Sequence, residues 1–474
     1  MATAELTGIQ QTGWQAGGRQ CPFSDWPWRH WARFQPHKVA VAAGGHTLSW
    51  TQLAQQVDEL ATGFIRQGVH SGCGVAMKAG NSEQAVLAYM ALLQCGARLL
   101  PLNPQLPESQ TAALLPALNI DFALTLTGDP LSAIPALNMQ HQKGRVNRNW
   151  EPEALATLTL TSGSGGLPKA AAHTFRAHLA SAHGVVTKMN FTLQDSWLLS
   201  LPLCHVSGQG IIWRWLLVGA NLVLTDDAPL PEALERSTFA SLVPTQLWRL
   251  LQQPRLPENL RNVLLGGATI PQTLTQQAEA AGIACWCGYG MTETASTVTA
   301  KRADGCNGVG QALAGQQVRV VKGEVQIQSP ALACGYWHQG NLLLLAGSDG
   351  WFSTRDGGYL DHDGLHLTGR LDNQFFSAGE GIQPEQVEAV LLAHPAVEQL
   401  FIVPKEDEEF GHRPVALVTL KAGVTLSELE AWSRTLLAGF QRPVRWYVLP
   451  ELNSGGIKIS RQRLMEWVAR QESD

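Results

Sequence analysis

Between residue 155 and about residue 300 the sequence repeats one pattern: a short apolar run, a polar or glycine-rich turn, and then a helix-like stretch. Short apolar runs that are bounded by turn residues predict buried strands. Strands that alternate with helices indicate a mostly parallel sheet covered on both faces. Ligands of such sheets bind beyond the carboxyl ends of the strands, and the glycine-rich turns of this chain follow those ends. The predicted strands are Leu155–Leu160, Trp197–Leu201, Asn221–Leu224, Phe239–Val243, Asn262–Leu265 and Ala284–Cys287.

The rest of the 474-residue chain predicts a second domain. Short strands with Gly and Asp turns begin after about residue 305 and predict an antiparallel portion. Helices are then expected at Pro384–Ala393, Leu426–Ala438 and Ser460–Gln471, with strands between them. We therefore expect an α/β protein with a flexible extension over 1–22, a large N-terminal domain over 23–371 and a small α+β C-terminal domain over 372–474.

Composition narrows the function classes. Hydrophobic residues make up 45% and charged residues 15% of the chain, as in a soluble globular protein. The formal net charge of −5 argues against a broad nucleic-acid-binding surface. The N-terminus has no signal-peptide pattern, and the best apolar stretch, near Ile211, is interrupted by Arg214. We therefore expect a cytoplasmic protein with no membrane insertion.

Cysteine and histidine spacings do not predict a metal centre. The eight cysteines lack a metal-binding spacing, so reduced thiols are expected. His173, His178 and His183 are five residues apart, which does not place them on one helical face. These histidines are interpreted as packing or surface residues.

The stretch Thr161–Lys169, with the sequence TSGSGGLPK, follows the predicted strand Leu155–Leu160. Small residues allow backbone N–H groups to surround an anion, hydroxyls add donors, and Lys169 adds positive charge. The stretch is not the P-loop of NTPases, because Leu167 and Pro168 separate the last glycine from the lysine. It predicts a polyphosphate-binding loop, with a plain Gly/Ser turn as the alternative.

Five glycine-, serine- and threonine-rich elements stand in order along the chain. They are Thr161–Lys169, Gly288–Glu293, Trp351–Asp356, Gly369–Gly381 and Gly455–Arg461. This set resembles the acyl-adenylate-forming superfamily, and the resemblance covers residues 23 to 471. Four further segments resemble the o-succinylbenzoate–CoA ligase family of menaquinone biosynthesis. They are Phe23–Trp31, Leu201–Gly210, Ile212–Trp215 and Ser241–Trp248.

The resemblance implies an AMP-forming acid–thiol ligase. A small-molecule carboxylic acid would attack the α-phosphate of ATP, and coenzyme A would then displace AMP from the acyl-AMP. The implied cofactors are ATP and Mg²⁺, with coenzyme A as co-substrate and o-succinylbenzoate as the expected acid. No nucleic-acid partner is expected, and the oligomeric state is left open, with a homodimer as one option.

The resemblance also implies roles for single residues. Lys458, Thr292 and Glu293 would be catalytic, with Glu293 as the Mg²⁺ ligand and Lys458 bridging the α-phosphate and the attacking carboxylate. The alternatives are an exposed lysine for Lys458 and helix capping for Thr292 and Glu293. Nucleotide contacts are expected from Thr161, Ser162, Gly163, Ser164, Gly166, Lys169, Gly266, Gly267, Ala268, Gly288, Tyr289, Gly290, Met291, Thr292, Asp356 and Arg370. Of these, Gly266–Ala268, Gly288 and Tyr289 would line the adenine, with Tyr289 stacking on it, and Asp356 and Arg370 would reach the ribose or phosphate. The alternatives are a core tyrosine, a turn aspartate and a surface arginine.

Arg214 predicts how the acid is recognised. A charge within an apolar run should either snorkel to solvent or find a partner, and o-succinylbenzoate carries a second carboxylate that a guanidinium can bind. Ser241 and His205 are expected near the acyl pocket, and a structural ion pair with an Asp or Glu is the alternative for Arg214. In the C-terminal domain, Asp372 matches the family hinge about which that domain moves. Gly379 and Gly381 are then expected to face the coenzyme A channel.

Three positions depart from the family pattern. Gly165 stands where Thr is usual, Arg355 where Gly is usual, and Ile457 where Gly usually precedes the lysine. The change at Gly165 removes one hydroxyl from the phosphate loop. A catalytically weak nucleotide-binding homologue therefore stays open, as does a ligase for another aryl or acyl acid. A serine hydrolase is disfavoured because no Gly-x-Ser-x-Gly elbow occurs.

Overall fold

The structure is a computed structural model that describes residues 21–106, 108–161, 169–225, 228–267, 270–306, 308–377, 380–407, 410–421, 423–450 and 459–471. Several predicted features lie outside these residues: nearly all of the N-terminal extension, the positions of Gly165 and Ile457, and the site residues Ser162, Gly163, Ser164, Gly166, Ala268, Gly379 and Lys458.

The described residues form two compact units. Unit 1 contains the described parts of Met1–Val318, Ile327–Phe352 and His362–Leu365, and unit 2 those of Arg319–Gln326, Ser353–Asp361 and His366–Asp474. Unit 2 therefore reaches further upstream than the expected boundary at residue 371, because the preceding short strands group with it.

Unit 1 contains two mostly parallel sheets. The first has nine strands in the order β15-β14-β13-β12-β11-β9-β10-β1-β2, and the second has eight in the order β19-β18-β8-β7-β4-β3-β5-β6. The strands are β1 Val39–Ala43, β2 His46–Ser49, β3 Gly74–Lys78, β4 Arg98–Leu102, β5 Phe122–Thr125, β6 Ala136–Leu137, β7 Leu155–Thr161, β8 Lys169–Thr174, β9 Ser196–Leu198, β10 Asn221–Val223, β11 Phe239–Leu242, β12 Asn262–Leu265, β13 Ala284–Met291, β14 Ser296–Arg302, β15 Gln311–Ala312, β18 Gly335–His338 and β19 Asn341–Leu344. Antiparallel pairs occur toward the sheet margins: β1 with β2, β13 with β14, β14 with β15, β7 with β8, β8 with β18, and β18 with β19.

Helices cover both faces of these sheets. A large aromatic-rich core contains residues of both sheets, and two smaller clusters cover their other faces. The helices of unit 1 are α1 Pro27–Phe34, α2 Trp50–Arg66, α3 Glu83–Gln94, α4 Glu108–Ala117, α5 Phe175–Met189, α6 Val206–Val218, α7 Leu230–Leu234, α8 Pro244–Leu251 and α9 Gln272–Ala280. The doubly covered, mostly parallel architecture expected from the sequence is confirmed.

Local sequence explains how the central helices are placed. Helix α2 begins with a capping box between Ser49 and Gln52. Helix α6 is apolar on nearly all sides, as expected of a helix inside a core. It ends at Gly219, whose φ is +69° and where an added Cβ would lie 2.5 Å from the Trp31 ring. Glycine is therefore required there by both conformation and space.

Unit 2 contains the antiparallel portion and the C-terminal α+β region. Most residues of a four-stranded sheet, in the order β16-β17-β20-β21, belong to unit 2. Unit 2 also contains a five-stranded sheet in the order β23-β22-β25-β24, in which β26 pairs with β25. The strands are β16 Gln317–Val321, β17 Glu324–Gln328, β20 Phe352–Asp361, β21 Gly364–Arg370, β22 Phe375–Ser377, β23 Glu380–Ile382, β24 Val397–Asp407, β25 Gly411–Leu420 and β26 Arg445–Val448. Helices α10 Pro384–Leu391, α11 Leu426–Ser433 and α12 Arg461–Gln471 pack on the five-stranded sheet.

The helices and the cysteines of the described residues have two further properties. Within the residues described here, none of the helices has both the length and the apolar character needed to cross a membrane. All eight cysteines are described and are free thiols; Cys306 is exposed, and the other seven are buried or half-buried.

Candidate active site

Strands β7 and β8 hold the two ends of the predicted phosphate loop. Thr161 is the last residue of β7 and Lys169 the first of β8, and the two residues are paired in the antiparallel register. The Thr161 hydroxyl donates to the Lys169 carbonyl at 3.2 Å. The two residues that flank positions 162–168 are therefore direct neighbours in the sheet, and one of them is a lysine.

The Thr292–Glu293 motif forms a tight turn after strand β13. Residues Thr292–Thr294 make one turn of 3₁₀ helix, and the Thr294 hydroxyl accepts from the Met291 N–H at 3.2 Å. The two following residues, Ala295 and Ser296, have φ values of +54° and +136°. Non-glycine residues in this region store strain of about 1–3 kcal/mol each, and such positions cluster at functional sites.

The Glu293 side chain is half-buried and held by one hydrogen bond. The Tyr336 hydroxyl donates to Glu293 Oε1 at 2.6 Å, and the Ala333 N–H donates to the Glu293 carbonyl at 2.8 Å. The Lys169 ammonium lies 5.4 Å from the centroid of the Tyr336 ring. The structure thus brings Lys169 and Glu293 together around Tyr336, a residue that sequence reasoning missed.

Glu293 also fits a bound cation. Among the described residues the Glu293 carboxylate forms no ion pair, so its charge is not neutralised by a protein cation. Carboxylate oxygens are the ligands that Mg²⁺ prefers. A half-buried carboxylate with one oxygen hydrogen-bonded is suited to a divalent ion carried by ATP phosphates.

The described residues expected near the adenine lie on strand β13 or directly after its neighbour β12. Gly266 and Gly267 directly follow β12, and Gly267 has a φ of +80°. The sequence pattern predicts that the next strand ends at Cys287, but β13 continues to Met291, so Gly288, Tyr289 and Gly290 are strand residues. The continuation is possible because β14 pairs with it, and at Gly290 an added Cβ would lie 1.8 Å from the Ser296 carbonyl oxygen. The Tyr289 side chain is only 8% exposed, so its stacking on adenine stays a prediction.

Arg214 lies on α6 and is buried, with 1% of its surface exposed. Its guanidinium donates to Ser241 Oγ at 3.3 Å, Ser296 Oγ at 3.0 Å and Thr297 Oγ1 at 3.5 Å. It also lies over the Trp197 ring, 5.0 Å from the centroid. Burial lowers the pKa of Arg214 from its usual 12.5 to about 9, so the group remains charged at neutral pH.

The alternative for Arg214 was a structural ion pair with an Asp or Glu, and the described residues contain no such pair. Among the described residues Arg214 forms no ion pair with a carboxylate, and its buried Nε has no hydrogen-bond partner. Its neighbours are hydroxyls, including Ser241 on β11, which was predicted, and Ser296 and Thr297, which were not. His205 is the residue before α6, as its N-cap, and is half-buried.

In unit 2, the predicted ribose and hinge residues form one charged cluster. Arg370 Nη1 donates to Asp356 Oδ1 at 3.1 Å, and its Nη2 donates to Asp372 Oδ2 at 2.9 Å. Arg355 adds a longer contact of 3.4 Å to Asp372 Oδ1. The backbone of Arg355 is left-handed, with φ +60°, which explains why glycine is usual at this position. Asp372 lies in the 3₁₀ turn Leu371–Asn373.

The described residues that follow Gly379 and Lys458 lie within unit 2. Gly381 is the middle residue of β23. Arg461, three residues after Lys458, donates to the Ile402 carbonyl at 2.6 Å and to Glu388 Oε2 at 2.7 Å. A second carboxylate, that of Glu385, lies 3.3 Å from the same guanidinium.

The chain matches two family models of known proteins. Residues 28–337 match the family described as AMP-binding enzyme, and residues 386–455 match the AMP-binding enzyme C-terminal domain. The 2-succinylbenzoate–CoA ligases of Salmonella typhimurium and Escherichia coli are each 54% identical to this chain; they cover 94% and 95% of it, and it covers 98% and 100% of them.

Solved structures of similar proteins superpose closely. A variant of E. coli MenE with bound OSB-AMS has a TM-score of 0.89 and 52% identity, covering 95% of this chain and 99% of its own. The o-succinylbenzoate coenzyme A synthetase of Bacillus subtilis, in complex with ATP and magnesium ion, has a TM-score of 0.86 and 27% identity, covering 93% of this chain and 99% of its own. The chain therefore belongs to the AMP-binding enzyme family and, within it, to the group of the 2-succinylbenzoate–CoA ligases.

Proposed function

We propose that this chain is an ATP- and Mg²⁺-dependent ligase that joins 2-succinylbenzoate to coenzyme A, with AMP and pyrophosphate as the other products. The observation that carries the choice of acid is the buried, charged Arg214 with no carboxylate partner among the described residues. A buried charge without a counterion is costly, so such a site favours an anionic ligand. A substrate with two carboxylates can supply that anion and still leave one carboxylate to react.

The position of Ser296 supports this assignment. Ser296 accepts from Arg214 and lies three residues after Glu293. Three residues span at most about 11 Å, so the proposed acid-binding and phosphate-binding groups lie within reach of one small molecule. The same turn therefore connects recognition of the second carboxylate with the group proposed to handle the ATP phosphates.

The first step proposed is attack of the free carboxylate on the α-phosphorus of ATP. The P–O bond to pyrophosphate breaks, and acyl-AMP forms. No general base is needed, because a carboxylic acid is already ionised at neutral pH. The barrier is repulsion between anions, which oriented donors and cations lower. Thr161, Lys169 and Thr292 are proposed to bind phosphate, Lys458 to bridge the two reactants, and Glu293 to hold the Mg²⁺ that neutralises phosphate charge.

In the second step proposed, the sulfur of coenzyme A attacks the acyl carbon. The bond to AMP breaks, AMP leaves, and the thiol proton passes to solvent. We propose that the C-terminal domain, residues 372–474, moves about Asp372 between the two steps, with Gly379 and Gly381 facing the coenzyme A channel. Asp356 and Arg370 are proposed to contact the ribose. A cytoplasmic location, with a homodimer as one oligomeric option, belongs to the same proposal.

The test is a panel of acids assayed for pyrophosphate release and for CoA thioester formation. 2-Succinylbenzoate should be preferred by at least about 10²-fold in kcat/KM over benzoate and fatty acids, because only it has a second carboxylate that can bind Arg214 while the first one reacts. Equal rates with benzoate would contradict the choice of acid while keeping the ligase chemistry. Absence of thioester with every acid, despite ATP binding, would instead indicate the weak nucleotide-binding homologue.

A further inference from the structure

Tyr336 connects three parts of unit 1. It lies on strand β18, which pairs with β8 so that Tyr336 is opposite Ala171, two residues from Lys169. Its hydroxyl donates to Glu293 Oε1 at 2.6 Å, and its ring lies under the Lys169 ammonium at 5.4 Å. One side chain therefore contacts both a phosphate-site cation and the proposed magnesium ligand.

The segment before Tyr336 holds Glu293 at a second point. The Ala333 N–H donates to the Glu293 carbonyl at 2.8 Å. Backbone and side chain of Glu293 are thus both fastened to residues 333–336. Fixing a free glutamate side chain costs up to about 2 kcal/mol in rotamer entropy. Glu293 is already fixed in the folded protein, so ligand binding does not have to order it.

The ring of Tyr336 also keeps the Lys169 ammonium and the Glu293 carboxylate from pairing with each other. Lys169 and Glu293 have opposite charges and contact the same side chain, yet they form no ion pair with each other. The ammonium lies against the ring face, where a cation–π contact stabilises it by about 0.5–1 kcal/mol at exposed sites. Both charges therefore stay available to a polyphosphate and its cation.

We propose that Tyr336 is a positioning residue, which presets the Glu293 carboxylate for the divalent cation and keeps Lys169 from neutralising it. This inference rests on the proposed function, in which Glu293 binds the cation of ATP. The hydroxyl occupies Oε1 and leaves Oε2 for the ion. Residues that orient metal ligands typically contribute 10- to 100-fold in metal affinity or activity.

The decisive variant is Tyr336→Phe, which keeps the ring and removes only the hydroxyl. Free Mn²⁺ is measured by electron paramagnetic resonance while it is titrated into protein saturated with a non-hydrolysable ATP analogue. We expect the Mn²⁺ affinity to fall 10- to 100-fold, with the thermal midpoint within about 2 °C of the wild type. Tyr359→Phe is the matched control, because Tyr359 is 52% exposed and lies in unit 2; its Mn²⁺ affinity should be unchanged.

A double-mutant cycle between Tyr336 and Glu293 distinguishes a positioning role of Tyr336 from a general packing role. In a Glu293→Gln background, Tyr336→Phe should cause less than a twofold further loss of Mn²⁺ affinity, because the carboxylate that it orients is gone. Wild-type Mn²⁺ affinity in Tyr336→Phe, or a full additional loss in the double variant, would overturn the inference. Failure of the wild type to form a CoA thioester would contradict the proposed function instead, and the Mn²⁺ titration would still decide the role of Tyr336.

Discussion

At the scale of single residues, Arg214 is the group whose environment is most informative. Its guanidinium is surrounded by hydroxyls and an indole ring rather than by carboxylates. Neutral hydroxyls satisfy part of its hydrogen-bonding capacity but none of its charge. The protein alone thus leaves a cation in its interior that a substrate anion can neutralise.

We expect Arg214→Met to raise the KM for 2-succinylbenzoate by about 10²-fold or more, because a buried charge contact of about 3 kcal/mol is lost. The KM for ATP should change less than twofold, and stability should be equal or higher since an uncompensated charge is removed. Steady-state kinetics and urea unfolding measure these effects.

Arg98→Met is the matched control for that experiment. Arg98 is also a buried arginine over an indole ring, that of Trp337 at 4.3 Å, but it donates to the Gly72 and Asn119 carbonyls. This variant should be less stable and should keep the wild-type KM for the acid. An unchanged acid KM in Arg214→Met would contradict the proposed role of Arg214.

Lys458 gives a second test at this scale. Removal of one donor that acts in a transition state typically costs about 10²–10³-fold in rate. Lys458→Ala should therefore slow acyl-AMP formation by about that factor. Pyrophosphate release measures this rate. Thioester formation from supplied acyl-AMP should remain within a few-fold of wild type. Equal losses in both half-reactions would count against a role confined to the first.

At the scale of elements, helix α1 carries a histidine that makes stability depend on pH. His30 packs against Phe23, Trp31 and Phe34, and burial, aided by the charge of Arg33, lowers its pKa from 6.5 to about 4. Because the folded pKa is below the unfolded one, the neutral ring's contribution is fully present above pH 6.5. It is lost as pH falls from 6.5 toward 4.

We expect the wild type to lose about 2–3 kcal/mol of unfolding free energy at this residue between pH 7.5 and pH 4.5, from 1.36 kcal/mol per pKa unit. His30→Phe should lose correspondingly less over the same interval, because Phe keeps the packing and does not titrate. Urea unfolding of both proteins at the two pH values gives the difference. Parallel pH dependences would show that His30 does not titrate in this way.

Local patterns predicted the elements well where the contacts are short-range. Thr161, Lys169 and Glu293 were predicted from local motifs, and they lie at the ends of β7 and β8 in one sheet and just after β13 in the other. Tyr336 and Ser296 were missed, since their contacts join residues 43 and 82 positions apart and no local period marks them. The end of β13 was misplaced for the same reason: its extension depends on pairing with β14.

At the scale of the whole molecule, the described residues divide into two units, and the strands of the antiparallel portion group by tertiary contacts with the C-terminal residues. Local patterns predict a domain boundary near residue 371, and such patterns carry no record of tertiary contacts. The proposed hinge residue Asp372 is fastened within unit 2 by Arg370 and Arg355. Exposed ion pairs of this kind contribute only about 0–1 kcal/mol, so they do not prevent rotation of the backbone.

Asp372→Pro tests whether the backbone at this position moves during turnover. Proline restricts φ to about −65°, so we expect thioester formation from supplied acyl-AMP to fall at least 10-fold more than acyl-AMP formation. Asp372→Ala removes the same carboxylate without that restriction and should leave both half-reactions within a few-fold of wild type. Normal rates for both steps in the proline variant would place the hinge elsewhere.

The single exposed thiol of unit 1 offers a direct way to follow such a rotation. Cys306 is the only fully exposed cysteine of the eight, all of which are described. A maleimide fluorophore should therefore attach there in preference to the others, without prior removal of native cysteines. Paired with an acceptor dye placed after Asp372, it would convert the proposed rotation of residues 372–474 into a change of energy-transfer efficiency, recorded one molecule at a time during catalysis.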